Sequence, residues 1–218
     1  MDLQGKKVLF LGDSITYGSR ASAPEFRYVD RFGAKTGATV KNYGIGGTRI
    51  APVHHSLSAK PEWDQTFLSR VDEMDADADA VVVFGGTNDF GHGDGVIGSF
   101  NDTDEYTFYG ALHALVKKLM TKYPAARLVF LTPLHRTSEL VTVNEVGLPT
   151  PPLVEYVKAI REIADYYSIP VLDLWSISGI FPRDEQNYKL YTSDGLHPND
   201  LGMERIAHLL CQFFRNVL

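Results

Sequence analysis

Five short apolar runs, at residues 7–11, 39–43, 80–84, 127–131 and 170–174, are separated by stretches whose apolar residues recur at helical spacing. Runs of this length, bounded by glycine or polar residues, read as strands buried on both faces. The intervening patterns predict helices over 27–36, 61–70, 105–122 and 153–167, and a last helix over 200–217. In that last helix Met203, Ile206, Leu210, Phe213 and Val217 repeat every three or four positions, as a single buried stripe requires. Strands that alternate with helices cannot be joined by hairpins, so the sheet is expected to be parallel and covered on both faces. Right-handed crossovers then predict an α/β chain built as a flavodoxin-like, three-layer α/β/α sandwich around a five-stranded parallel sheet. A chain of 218 residues with no repeat and no linker suits one domain over residues 1–218.

Charge and composition narrow the function classes. The formal net charge is −6 and no basic stripe is visible, which argues against nucleic-acid binding. No apolar run approaches the ~18–20 residues that cross a bilayer. The first eleven residues are too short and too polar for a secretory signal, and the single cysteine, Cys211, excludes an internal disulfide. A cytoplasmic protein is the expectation. Cys211 lies in the apolar pattern of the last helix and reads as a small buried hydrophobe.

The edge at which parallel strands end is where open α/β sheets bind ligands, and Ser14 falls there, in Gly12-Asp13-Ser14-Ile15 directly after the first strand. Near the far end stands Asp194-Gly195-Leu196-His197. A serine hydroxyl attacks poorly until an imidazole takes its proton, and the imidazole needs a carboxylate to fix its tautomer. Asp194 and His197, three positions apart, can meet within one loop. The competing reading makes Ser14 a helix N-cap and Asp194 a turn residue. Acyl transfer also needs donors aimed at the developing oxyanion. Asn42-Tyr43-Gly44-Ile45-Gly46-Gly47 follows the second strand and offers a backbone N–H unobstructed by a side chain. Gly86-Thr87-Asn88-Asp89 follows the third and offers the Asn88 carboxamide. Asp13 and Asp89 are expected to bond nearby turn amides.

These four blocks, in this order and spanning the first strand to the last helix, resemble those of the SGNH (GDSL-type) hydrolases. The resemblance implies the same three-layer sandwich. It implies Ser14 as nucleophile, His197 as base and Asp194 as its orienter. It also implies an oxyanion hole made of the Ser14 N–H, the Gly47 N–H and the Asn88 side chain, with Gly46 the competitor to Gly47. An ester hydrolase acting without metal or cofactor is expected, its partner a small-molecule ester. The acyl group is expected to be small or medium, an O-acetyl group on a carbohydrate being the leading case. A lipid ester or thioester is the alternative within the family, and a non-catalytic, anion-binding module the alternative outside it.

Two long connections, 91–103 and 134–152, leave the same edge of the sheet and are read as walls of a substrate pocket. Arg49, His135 and Arg136 lie at that edge and are candidate substrate contacts. His54-His55 and His92 lack a zinc-ligand spacing and are read as structural or surface residues. No Gly-x-Ser-x-Gly elbow and no phosphate-binding Gly-x-x-x-x-Gly-Lys loop occurs.

Overall fold

The computed structural model describes residues 2–56 and 61–216. The elements run β1 (Lys7–Gly12), α1 (Ser14–Tyr17), α2 (Tyr28–Thr36), β2 (Thr39–Gly44), α3 (Phe67–Arg70), β3 (Ala80–Phe84), α4 (Thr87–His92), α5 (Phe108–Lys122), β4 (Arg127–Leu131), α6 (Leu153–Tyr166), β5 (Val171–Leu172), α7 (Leu174–Ile177), α8 (Glu185–Tyr191) and α9 (Asp200–Asn216). Every strand pair is parallel, and the order across the sheet is β2-β1-β3-β4-β5. The expected five-stranded α/β/α sandwich is therefore the observed one.

Alternation along the strands builds two cores. Leu9, Leu11, Val81, Val83 and Phe130 face one side, where α3, α5 and α6 contribute Phe67, Leu112, Leu115, Val116, Ile160 and Ile163. Val8, Phe10, Val82, Phe84, Val129 and Leu131 face the other, where α2 and α9 pack together with Phe32, Met203, Ile206, Leu210 and Phe214. Burying each such side chain contributes about 1.5–3 kcal/mol, so both layers are held chiefly by apolar burial.

Strand order reverses between β1 and β3, and there the C-terminal ends lie level: Gly12 is opposite Gly44 on one side and Phe84 on the other. The loops that leave these ends therefore start from one height around one crevice, as expected at a topological switch point. Ser14, Gly47 and Asn88 follow these ends within a few residues.

Several boundaries differ from the sequence reading. The helix expected over 61–70 is a 3₁₀ turn, Pro61–Asp64, followed by α3. Thr66 breaks it by accepting from the Ser69 N–H while the Ser69 hydroxyl accepts from the Thr66 N–H, a capping box that starts a new helix. The helix expected from 105 begins at Phe108, because Thr107 caps the Gly110 N–H. The fifth strand is only Val171–Leu172, since Asp173 turns the chain into α7. In α9 the buried stripe runs through Met203, Ile206, Ala207, Leu210 and Phe214; Phe213 is half-buried, and Val217 lies outside the described residues. Cys211 is buried and unpaired. Among the described residues no helix is long and apolar enough to cross a membrane.

Candidate active site

The turn after β1 is built around missing atoms. A Cβ on Gly12 would lie 2.0 Å from Thr16 Oγ1 and 2.9 Å from the Phe84 carbonyl, so only glycine lets the chain turn this tightly. Asp13 then caps α1, its carboxylate accepting from the Ile15 N–H at 2.9 Å, which makes Ser14 the first helical residue. The short helix is pinned from outside. Thr16 Oγ1 shares a 2.9 Å hydrogen bond with the Tyr28 hydroxyl, and Asn42 Nδ2 donates to the Thr16 carbonyl at 2.7 Å.

The far end of the chain closes on this serine. Ser14 Oγ is 2.9 Å from His197 Nε2, and His197 Nδ1 is 2.9 Å from Asp194 Oδ2. A carboxylate only accepts, so Nδ1 carries the proton and Nε2 is left to accept from the serine hydroxyl. Asp194 Oδ1 accepts the amides of His197 at 2.8 Å and Leu196 at 3.1 Å. Gly195, at φ +79°, allows the carboxylate to fold back over its own loop, and the Ser193 N–H to His197 carbonyl bond closes that loop. Partial desolvation pushes the Asp194 carboxyl up, but the His197 amide, the His197 ring and the Leu196 amide outweigh it and hold it down at about 2. Arg20, itself in a left-handed conformation at φ +75°, donates Nε to Asp194 Oδ2 at 3.3 Å from an exposed position.

Gly46 and Gly47 lie on the β2 side of this pair. A Cβ on Gly46 would be 3.8 Å from Ser14 Cβ, so the Gly46–Gly47 peptide passes directly beside the serine. Gly47 has φ +75°, and a Cβ there would fall 2.4 Å from the Trp63 ring. Asn88, in the first turn of α4, is 6% exposed and donates Nδ2 to the Thr48 carbonyl at 3.0 Å. That bond uses one of the two amide protons and leaves the second. Asp89 bonds the Ile50 and Ala51 amides at 3.1 and 2.8 Å, and Asp13 bonds Ile15, both as expected of turn carboxyls. Burial raises Asp13 to about 7 and Asp89 to about 6 against the opposing pull of those amides. The structure thus brings together Ser14, Asp194, His197, Gly47 and Asn88.

The three candidate substrate contacts are not presented that way. Arg49 is 2% exposed and turned inward, with Nη1 on His92 Nδ1 at 2.7 Å and Nη2 on Asp64 at 3.1 Å. Arg136 is 6% exposed and is held by Thr87, Ser138 and Glu145. His135 is bonded through Nδ1 to Glu139 and packs its ring on Trp175. Each side chain found a nearby acidic partner and folded onto the protein. Arg70 was not foreseen: buried, it reaches the Gly12 carbonyl at 3.0 Å, the Tyr43 carbonyl at 2.5 Å and Thr48 Oγ1 at 2.8 Å, tying the ends of β1 and β2 to the glycine loop. Its only sequence signal was a charge at the inner end of an apolar pattern.

The connections also divide. The 134–152 segment touches the histidine loop, Thr137 N–H donating to the Gly195 carbonyl at 3.0 Å, and it reaches α4 through the Glu145 N–H to Gly91 carbonyl bond at 2.8 Å. Of the 91–103 stretch, Gly91 and His92 belong to α4, and Phe100 to Thr103 instead border a cavity of about 800 Å³ with α5, Tyr166 and Tyr167 whose lining does not include Ser14, Asp194 or His197. Among the described residues no cluster of histidine, cysteine and acidic side chains is arranged to hold a metal ion.

Comparison with known proteins bears on the family and the fold. The model of the GDSL-like Lipase/Acylhydrolase family matches residues 10–205. One solved structure is 34% identical, with 100% of this chain and 99% of that chain covered and a TM-score of 0.85. A protein from Lactobacillus plantarum is 30% identical over 99% of both chains, with a TM-score of 0.83. A protein described as a possible lipase, from Chitinophaga pinensis DSM 2588, is 23% identical over 97% of this chain and 98% of its own, with a TM-score of 0.70; at that identity the likeness concerns the fold. No curated protein matches the chain.

Proposed function

Given that the chain belongs to the GDSL-like lipase/acylhydrolase family, we propose that it is a serine esterase that cleaves a small or medium acyl ester through an acyl-enzyme on Ser14. The observation that carries this reading is the unbroken run of hydrogen bonds from Ser14 Oγ through the His197 ring to Asp194, at 2.9 Å on each side.

In the reaction so read, Ser14 Oγ attacks the ester carbonyl carbon as its proton passes to His197 Nε2. The imidazolium that forms is stabilised by Asp194, which stays ionised. The carbonyl oxygen becomes an oxyanion and takes hydrogen bonds from the Ser14 N–H, the Gly47 N–H and the second Nδ2 proton of Asn88. Collapse breaks the bond to the alcohol oxygen, which receives the proton held on Nε2. Water then enters, loses a proton to the same imidazole, and attacks the acyl carbon. Ser14 leaves with that proton, and the carboxylic acid is released.

An O-acetylated carbohydrate is the substrate class we favour, with lipid esters and thioesters distinguished by assay. The anion-binding alternative is weakened by α1, a single turn of 4 residues whose dipole is small. A fluorophosphonate probe should label the wild-type protein and not Ser14→Ala. Folded protein that stays unlabelled would refute the esterase reading. A series of p-nitrophenyl esters from acetate to decanoate, followed by acetylated sugars, then ranks the acyl groups.

A further inference from the structure

Trp63 and His92 take part in none of the proton transfers above, yet they close a ring around the glycine beside Ser14. The indole of Trp63 lies against Gly47, so close that a Cβ would be 2.4 Å from Cδ2 and 2.5 Å from Cγ. The same indole stacks on the His92 ring, centroid to centroid 5.3 Å with 25° between planes. His92 Nδ1 accepts from Arg49 Nη1 at 2.7 Å, and Arg49, two residues beyond Gly47, returns through Nη2 to Asp64 at 3.1 Å, the neighbour of Trp63. The circuit therefore runs Gly47, Trp63, His92, Arg49, Asp64, joining the glycine loop, the Pro61–Asp64 turn and α4.

His92 follows Asn88 by one helical turn, so both side chains leave the same face of α4. Asn88 bonds the carbonyl of Thr48 and His92 bonds Arg49, which are consecutive residues of the glycine loop. Burial, then the Arg49 charge, push His92 down to about 4, which keeps the ring neutral and Nδ1 an acceptor near neutral pH. A left-handed glycine has several conformations open to it. The indole lies directly against Gly47, and the two α4 side chains hold the next two residues of its loop, Thr48 and Arg49.

We propose that Trp63 and His92 are positioning residues that fix the Gly47 N–H at its working distance from the Asn88 amide, with Trp63 the element in direct contact. The proposal rests on the reading of Gly47 and Asn88 as oxyanion donors. A donor that wanders loses its advantage in the transition state while ground-state binding is little changed.

The test uses Trp63→Ala, Trp63→Phe and His92→Ala in the full chain, beside Ser14→Ala and Asn88→Ala. Each is assayed for kcat and KM on p-nitrophenyl acetate and for inhibition by an alkyl trifluoromethyl ketone, which adds to the serine as an oxyanion. Trp63→Ala should lower kcat by ~30- to 100-fold and weaken the ketone by a similar factor, with KM within about 3-fold, since misplacing a reacting group by an ångström costs ~100-fold. His92→Ala should follow in the same direction with a smaller loss. Trp63→Phe keeps a flat ring over Gly47 and should recover most of both quantities; it also serves if the alanine variant fails to fold. Unchanged kcat and ketone affinity in Trp63→Ala, alongside large losses in Ser14→Ala and Asn88→Ala, would overturn the positioning role alone. A rise in KM with kcat intact would overturn it too, making Trp63 a wall for substrate. If Ser14→Ala and Asn88→Ala also retain wild-type behaviour, the underlying esterase reading fails and the positioning role with it.

Discussion

Replacing Asn88 by alanine separates the catalytic use of its carboxamide from the structural one. The side chain is 6% exposed, and Nδ2 donates to the carbonyl of Thr48, a residue that is itself 1% exposed. Deleting the donor leaves a buried carbonyl without its partner, which costs about 1–3 kcal/mol of stability. In a chain of 218 residues that corresponds to a drop in Tm of roughly 2–12 °C. The second proton of Nδ2 is the one assigned to the oxyanion, and losing such a donor typically costs ~100- to 1,000-fold in kcat, or ~2.7–4 kcal/mol of barrier. The two effects are read by different instruments: thermal melting for the first, steady-state kinetics on p-nitrophenyl acetate well below the melting range for the second. KM should move little, because the interaction strengthens only as charge develops. Asn88→Asp sharpens the comparison, since a carboxylate would repel both the Thr48 carbonyl and the oxyanion and should be slower than alanine. If Asn88→Ala melts lower yet turns over within ~10-fold of wild type, the residue is a strut and the oxyanion assignment is wrong.

Asp194→Asn should lower kcat by ~10,000-fold, because an amide proton facing His197 Nδ1 favours the wrong tautomer; a loss under 100-fold in stopped-flow assays would remove Asp194 from the mechanism. The same carboxyl, held at about 2, contributes stability present above its ordinary value near 3.8 and lost as pH falls through 2, and for so exposed a group screening limits this to about 1 kcal/mol or less. Urea titrations of wild type and Asp194→Asn between pH 5 and pH 2 should therefore converge on acidification. Asp13 has the opposite sign: raised by burial to about 7, it adds stability below its ordinary value near 3.8 that is lost as pH rises through 7. Asp13→Asn keeps an oxygen for the Ile15 N–H without the charge, so its stability relative to wild type should grow from pH 5 to pH 8, and a flat difference across that range contradicts the buried-carboxyl account. Arg20→Ala breaks an exposed pair at 3.3 Å, worth at most about 1 kcal/mol, so kcat should stay within ~3-fold; a larger loss would show that the guanidinium meets substrate.

Legibility in the sequence followed the range of the interactions. The strands at Ala80–Phe84 and Arg127–Leu131 match their apolar runs residue for residue, because burial on both faces is written into local composition. β5 is shorter than its run because Asp173 is taken by Arg161 and Thr132, contacts from other elements that no local pattern reports. The pairing of Ser14 with His197 was legible because each motif has a chemical reason to exist and the topology carries both to one edge. Arg49, His135 and Arg136 were placed at the right edge but pointed wrongly: position along a strand end is a sequence property, whereas side-chain direction was decided by Asp64, Glu139 and Glu145. Trp63 and Arg70 went unread because what they touch, Gly47 in one case and the carbonyls of Gly12 and Tyr43 in the other, lies far away in the chain.

Buried charge explains why both blocks that supply Ser14 and Asn88 carry an aspartate next door. A carboxylate one residue from the proposed oxyanion site would oppose the negative charge assigned there, more strongly for being dry. Asp13 and Asp89 are nonetheless needed, since Ile15, Ile50 and Ala51 are buried and their amides donate to these two carboxyls. The fold meets both demands at once. Burial raises the two carboxyls to about 7 and about 6, which blunts their charge, and each feels the field of a buried guanidinium that it does not bond, Arg70 for Asp13 and Arg49 for Asp89, which acts the other way. Arg70 also bonds the Gly12 carbonyl and Arg49 bonds His92, so the cations that offset the carboxyls are the same ones that hold the turns in shape. A neutral substitute for either arginine would therefore disturb geometry and electrostatics together, and only the paired variants, aspartate and arginine removed at once, can tell how much of the loss belongs to each.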